Sequence, residues 1–351
     1  MTERPTRIVK HEVLRDLMER LLGAAGCSDI NARETADVFL EADLRGIGLQ
    51  GLDHLFSMLA DLGRGTIDGA GRPEIVKEGA ATAVVDGHRG PGQPGAVFAA
   101  DVAARKAREA GTATVGLVNG ADIYMIGYYA ERMARAGTAG FVFSAAASLV
   151  HPHGGVERKL GTNPIAIAVP TAGEPLLLDM STSALSASRV RQAAYHDEHL
   201  PPGSGVDTQG QATTEAAAIR DGAIAPLAGA KGFGLGLCVA LLSGPLIGGE
   251  VGEAIEGWHT DGAPRGQRGH LFMAVDPAAF GDEDAFRKSA SAYLDEVRAS
   301  RTAPGVDAVR IPGERTYASR ARNLAGGIEM LEATWSRAAD HAAKLGVEMP
   351  G

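Results

Sequence analysis

Aromatic residues are scarce in this chain. Phe, Trp and Tyr together make up 5% of its 351 residues, which leaves no stacking platform for bases and no aromatic belt. Basic clusters are missing as well. The formal charge is −9 and no Lys/Arg stripe runs along any segment, which argues against nucleic acid as a main partner. The scattered Asp and Glu read as a solubility feature. Cysteine is reduced to Cys27 and Cys238. These lie far apart in helix-like segments, and buried free thiols in a reducing compartment are expected in preference to a disulfide. The longest apolar stretch, 235–246, is too short and too interrupted to span a bilayer. The N-terminal MTERPTRIVKHEVLRDL has no apolar signal-peptide region. The expectation is a cytoplasmic protein with no membrane partner.

What is present is ordinary for a globular protein: 45% hydrophobic and 22% charged residues, over a length sufficient for two or three packed units. The 47 glycines and the Ala-rich segments point to close helix packing and many turns. Up to residue 62 the pattern is helical: Leu14, Leu17, Leu21 and Leu22 recur at helix spacing, Ser28 caps a second helix through 32–44, and a third covers 52–62. From residue 73 short strands and helices alternate irregularly. Strands are expected at 82–86, 112–118, 140–144 and 270–275, and helices at 95–110, 125–136, 181–194 and 229–246. Residues 196–224 read as a polar, Gly/Pro-rich loop. Helices return at 282–298 and 323–344. The spacing therefore predicts an α/β protein in three segments. Residues 1–75 and 276–351 form a helical domain from both chain ends, and 76–275 form a sheet domain with 196–224 as a loop insertion. This is not the regular strand–helix alternation of a doubly wound fold.

The most informative stretch is KLGTNPIAIAVPTAGEPLLLDMSTS, residues 159–183. Two strand-like runs are each tied to a cluster of small polar residues, Gly161-Thr162-Asn163-Pro164 and Asp179-Met180-Ser181-Thr182-Ser183. Free backbone N–H groups and hydroxyls at a helix start suit a phosphate or an amide, and equally suit an ordinary capped helix. Gly232-Phe233-Gly234-Leu235-Gly236 lacks the preceding strand of a dinucleotide fingerprint and reads as close helix packing. Lys231, at the start of that helix, is either a point charge for a phosphate or a solvated surface lysine.

Six ordered segments resemble the type-2 malate/L-lactate dehydrogenase family, which includes ureidoglycolate and sulfolactate dehydrogenases and a piperideine-2-carboxylate reductase. They are 42–46 (ADLRG), 127–130 (GYYA), 161–164, 179–183, 226–235 and 310–314 (RIPGE). The resemblance implies a non-Rossmann fold, in which a mixed, largely antiparallel sheet domain binds NADH or NADPH and a helical domain is built from both chain ends. It also implies a homodimer. Cofactor contacts are then expected from Ala146, Gly161, Thr162, Asn163, Met180, Ser181, Thr182, Lys231, Pro312, Gly313 and Glu314. Arg45, Leu49 and Asp179 are expected beside the substrate.

Four positions depart from the family. Its first motif is R-G-x-x-S-H-G-x-x-R; here Leu49 replaces Ser, Gln50 replaces His and His54 replaces the second Arg. Its second motif is N-S-x-H-F-G, and Asp122 stands in place of the proton-carrying His, with Tyr124 close behind. His54 cannot reproduce the bidentate fork of Arg. An Asp near its ordinary pKa is a poor acid at neutral pH unless burial raises it. Three chemistries are open. The chain reduces an imine or iminium ion that Asp122 attracts and, with a raised pKa, protonates. Or it reduces an unusual ketone, with Tyr124 or His54 as the acid. Or it keeps the cofactor scaffold as a non-redox enzyme or ligand-binding protein. The alternatives for the residues are structural: a cap for Gln50 and Asp122, surface for His54, packing for Tyr124. His151 with His153, and His196 with His199, lack a carboxylate or thiolate complement, so no metal is expected.

Overall fold

Leu14, Leu17, Leu21 and Leu22 share one helix face and all are fully buried. They belong to the first helix of a computed structural model that describes residues 5–255 and 268–350. The first four residues of the charged N-terminus, and 256–267 of the expected sheet domain, lie outside the described residues. Strand β1 (Thr6–Val9) leads into α1 (His11–Ala24), α2 (Asp29–Leu44) and α3 (Leu52–Gly63). The Ser28 hydroxyl accepts from the Asn31 N–H at 3.4 Å and caps α2 as expected.

The sheet follows. Strands β2 (Glu74–Glu78) and β3 (Thr82–Asp86) precede the long helix α4 (Gly92–Ala110). Then come β4 (Thr112–Val118), α5 (Gly127–Arg135), β5 (Ala139–Ser144), β6 (Ile165–Val169) and β7 (Leu176–Met180). After them run α6 (Ala187–Tyr195), the short strands β8 (Gly205–Val206) and β9 (Ala212–Thr213), α7 (Ala216–Asp221), β10 (Ala223–Ile224), α8 (Ala230–Ser243) and β11 (His270–Val275). The seven-stranded sheet has the order β2-β3-β4-β11-β5-β6-β7. Only β3 and β4 pair in parallel; the other neighbours are antiparallel. Strand β11 is the last made and lies near the middle, with its first residue, His270, opposite both Leu117 and Ser144. Fully buried Ala96, Ala99, Ala100, Ala103 and Ala107 let α4 lie close against the sheet.

Helix α9 (Glu283–Arg298) lies against the sheet layer, where Arg108 bonds Glu283 at 2.9 Å and the Ala172 N–H donates to Ser291 at 3.0 Å. Helix α10 (Glu314–Gly326), strand β12 (Ile328–Leu331) and α11 (Glu332–Leu345) return to the helical body. There β12 pairs antiparallel with β1. Trp335, Ala338 and Ala342 complete the core around the α1 leucines.

Five expectations are corrected. The helix expected over 181–194 starts at Ala187, capped by Ser186, whose hydroxyl accepts from the Arg189 N–H at 3.2 Å. Upstream, the Thr182 N–H donates to Thr162 and that of Ala184 to Ala225, which holds the chain extended. Residues 196–224 are no loop: β8, β9, β10 and α7 build a small layer around Leu200, Ala216, Ile219 and Ile224. The terminal helix is broken at Gly327, φ 89°, by β12, whose buried Ile328 and Met330 alternate with exposed Glu329. Cys27 is buried but Cys238 is exposed. Finally, the apolar stretch around α8 runs over 18 residues, Ala230–Ile247, at a mean hydropathy of 1.6. It presents Leu235, Leu237, Leu241, Leu242 and Leu246 at its surface.

Candidate active site

The turn between α2 and α3 is drawn inward by a buried carboxyl group. Asp43 Oδ2 accepts from the Leu52 N–H at 2.9 Å, at the start of α3. A Cβ on Gly51 would stand 2.1 Å from Asp43 Oδ1, so glycine is required there. This arrangement delivers Gln50 and His54 to the wall of a cleft of about 970 Å³. The Gln50 amide oxygen is buried with no hydrogen-bond partner among the described residues. Leu49 is not part of the wall; its carbonyl accepts a hydrogen bond from His54 Nδ1. Since a carbonyl can only accept, Nδ1 carries the proton. Burial pushes the His54 pKa down to about 4 despite that bond, so the ring is neutral at pH 7. Arg45 also lines the cleft, but its guanidinium is bonded to Glu41 at 3.1 Å and to Glu131 at 2.5 Å.

Asp122 and Tyr124 follow β4 and face the same end. The Tyr124 ring stands edge-on to His54 at 4.9 Å, and burial with the nearby Asp122 charge pushes its phenol well above the ordinary range. Asp122 is bonded to Arg268, the residue two positions before β11. Burial works to raise its pKa, yet Arg268, with His270 and His54, outweighs burial and holds the carboxyl below its ordinary value. Asp122 with a raised pKa, acting as a proton donor, is therefore corrected: it is an ionised partner of Arg268. Beneath the pair, His270 Nδ1 and the Ser144 hydroxyl are 2.8 Å apart, and burial lowers the His270 pKa to about 4.

Asp179, at the end of β7, faces the cleft and accepts from the Gly127 N–H at 2.8 Å through Oδ2. A carboxylate suits the first turn of α5. The surrounding protein nevertheless raises its pKa to about 6, against the pull of the Gly127 N–H and Arg45.

The long wall is knitted from the polar clusters of 161–164 and 180–183. Asn163 Oδ1 accepts from the Ala146 N–H at 3.1 Å, and its Nδ2 donates to the Gly236 carbonyl at 3.0 Å. The Thr182 hydroxyl contacts the carbonyls of Thr162 and Asn163, both at 3.1 Å. A Cβ on Gly161 would come within 2.2 Å of the Ala146 carbonyl oxygen. Gly161, Asn163 and Thr182 thus brace the wall from behind, while Ala146, Thr162, Met180 and Ser181 line it. At the far end Pro312 and Gly313 line the cleft, fastened to β7 by the Leu177 N–H donating to the Pro312 carbonyl at 3.2 Å. Glu314 turns away from the cleft, bonding the Ile311 N–H at 3.0 Å and pairing with Arg298. Lys231 is exposed in the first turn of α8 and does not line the cleft.

Two guanidinium groups escape any reading of motifs. Arg268 lines the cleft through its pair with Asp122, and Arg191 lines it from α6. Burial lowers the pKa of Arg191, while Tyr124 and Asp122 act to raise it. No spacing links residues 122, 191 and 268; only the insertion of β11 between β4 and β5, and the seating of α6, bring them together.

Comparison with known proteins matches this geometry to a named group. A family model described as malate/L-lactate dehydrogenase matches residues 9–338. The chain is 31% identical over 342 residues to a malate/(S)-sulfolactate dehydrogenase from Methanothermus fervidus, covering 97% of this chain and 99% of the relative. It is 33% identical over 341 residues to a Δ1-pyrroline-2-carboxylate/Δ1-piperideine-2-carboxylate reductase from Pseudomonas syringae pv. tomato, covering 95% and 96%. A solved dehydrogenase structure from Sinorhizobium meliloti superposes with a TM-score of 0.89 at 35% identity, covering 96% of this chain and 98% of that one.

Proposed function

The chain belongs to the malate/L-lactate dehydrogenase family, and from that premise we propose that it is an NAD(P)-dependent oxidoreductase that reduces a C=N or C=O bond of a small substrate. The observation that carries this reading is one continuous cleft. It runs from Pro312 and Gly313, past Met180, Ser181 and Ala146, to Gln50, His54 and Asp122. Its volume of about 970 Å³ is at the upper end of small-molecule sites, which suits a dinucleotide together with a substrate.

The residues present fit the cofactor. The tight backbone approach at Gly161 and Ala146, the Ser181 hydroxyl and the glycine turn at Gly313 form a cradle without bulky side chains. Met180, Ser181 and Thr162 would hold the nicotinamide half, and Pro312 and Gly313 the adenosine half. When bound, NADH or NADPH supplies the hydride. The sheet supporting this wall is mixed and largely antiparallel, so the proposal places the cofactor on a non-Rossmann scaffold, with 76–275 as the sheet domain and both chain ends in the helical domain.

At the other end the chain's own residues orient the substrate. Gln50 offers its amide, and neutral His54 and the raised phenol of Tyr124 close the pocket against water. Asp179, with Oδ2 held by the Gly127 N–H, keeps its proton up to about pH 6, well above an ordinary carboxyl. Because Arg268 neutralises Asp122, attraction of an iminium ion to that carboxylate is weakened, and C=N and C=O substrates stand on equal terms. The leucines exposed on α8 support the homodimer reading, since they leave an apolar helix face for a second copy to cover. A cytoplasmic setting fits the exposed thiol of Cys238.

Titration with NADH and with NADPH, followed by coenzyme fluorescence and thermal shift, tests the proposal. Saturable binding of one of them is expected, with stabilisation of about 2.7 kcal/mol at a hundredfold excess over Kd. Binding of neither overturns it and leaves the non-redox reading. Cyclic imines against 2-oxo acids then separate C=N from C=O reduction.

A further inference from the structure

The cleft needs a cation wherever its substrate carries an anion, and the N-terminal motif no longer supplies one. His54 stands where the resemblance expects an arginine, and its ring is neutral and hydrogen-bonded to Leu49. Arg45, the nearest arginine in that motif, is held by Glu41 and Glu131. Across the cleft stand two more arginines. Arg268 and Arg191 reach the same end from two separate elements, and both lie within electrostatic reach of Asp122. Asp61 also acts on Arg268 and is bonded to Arg64 at 2.7 Å. Arg268, Arg191 and Asp122 thus line one end of the cleft together.

We propose that Arg268 and Arg191 together form the anchor for a carboxylate on the substrate, taking over from the other side of the cleft the task that position 54 has lost. The inference rests on the oxidoreductase reading above and names the residues that select its substrate. Arg268 is engaged with Asp122 through Nη1. A planar guanidinium carries several N–H donors in one plane and serves two carboxylates at once. Its pair with Asp122 fixes the orientation of that plane, since a buried and paired arginine has few rotamers left. Arg191 reaches the cleft from the middle of α6, with its Nη2 3.4 Å from the Ser188 hydroxyl one helical turn earlier. A substrate carboxylate lying between the two would face charge on both sides, in a site where burial makes such contacts stronger than in water. The reducible carbon next to that carboxylate would then point back along the cleft, toward Met180 and Asp179.

The test uses oxamate, a small carboxylate that is not reduced, and its uncharged counterpart oxamide. Calorimetric titrations are run on the full-length protein with and without coenzyme, for the wild type, Arg191→Gln and Arg268→Gln. The wild type is expected to bind oxamate at least about tenfold more tightly than oxamide, and each variant to lose at least about tenfold in oxamate affinity, the scale of a charge-assisted hydrogen bond. Coenzyme affinity is expected to stay unchanged in both variants. Arg268→Gln leaves Asp122 without its partner and can fail to fold; Arg191→Gln keeps the test decisive by itself. Equal affinity for oxamate and oxamide, oxamate affinity unaltered in Arg191→Gln, or no oxamate binding by the wild type overturns the anchor. Failure of the wild type to bind either coenzyme overturns instead the oxidoreductase reading, and the coenzyme-free titration still decides on the arginines.

Discussion

Replacing Asp43 by Asn should change the pH dependence of stability more than stability itself at acid pH. The Asp43 carboxyl is 6% exposed, and burial, with Asp53 nearby, raises its pKa to about 8 against the opposing bond from the Leu52 N–H. In the unfolded chain its pKa returns to about 3.9. Between those values the native state holds a proton that the unfolded state has released. The contribution of Asp43 is therefore fully present below pH 4, declines as pH rises, and levels off once pH has passed about 8. The slope inside that window is at most about 1.4 kcal/mol per pH unit. Asp43→Asn keeps an amide oxygen for Leu52 and has no proton to lose. The gap in unfolding free energy between variant and wild type should widen in the variant's favour by about 2.5 kcal/mol from pH 5 to pH 7. Urea unfolding followed by circular dichroism at pH 5, 6 and 7 measures it. A gap that stays constant across this range refutes the protonated Asp43. Gly51→Ala is the steric counterpart. With its Cβ 2.1 Å from Asp43 Oδ1, it should expel the carboxyl, destabilise the protein at every pH and misplace Gln50 and His54.

Two further outcomes follow from the cleft. Gly161→Ala puts a methyl group 2.2 Å from the Ala146 carbonyl oxygen, so the wall must move; coenzyme affinity, by fluorescence titration, should fall at least about tenfold, and an unchanged Kd would sink the cradle. Asp179, raised to about 6, is protonated below that pH and ionised above it. If it donates the proton, kcat/KM should decline as pH rises through about 6. Asp179→Asn should abolish that limb and lower kcat, and an identical profile would remove Asp179 from the chemistry.

Much of the fold is legible in sequence because the core elements carry strong apolar periods. Strands 112–118 and 270–275 coincide with their sequence-based bounds, as β-rich runs between polar turns should. The elements that escape are those whose partners lie outside the local pattern. In β1 the first three residues are exposed, Ile8 at 63%, so no buried alternation marks it. In β2 every residue but Ile75 is exposed. The site divides in the same way. Departures at 49, 50, 54 and 122 are visible in the motifs, and burial of Asp122 is foreseeable for a group beside a cleft. The sign of its pKa shift is not, because it depends on Arg268, which strand pairing brings across from residues far along the chain.

The pairing of β1 with β12 also sets a timetable. Thr6 bonds Glu329 across 323 residues of chain. The buried leucines of α1 share a core with Trp335, Ala338 and Ala342. During synthesis α1, α2 and α3 emerge first, yet their apolar faces stay partly uncovered until α11 leaves the ribosome. At about 5–20 residues per second that wait lasts roughly 15–60 s. All seven strands of the large sheet have emerged before α11, so the first helices made are among the last parts of the protein to find their final neighbours. A nascent chain stalled after β11 would display this leucine face to chaperones and to other unfinished copies.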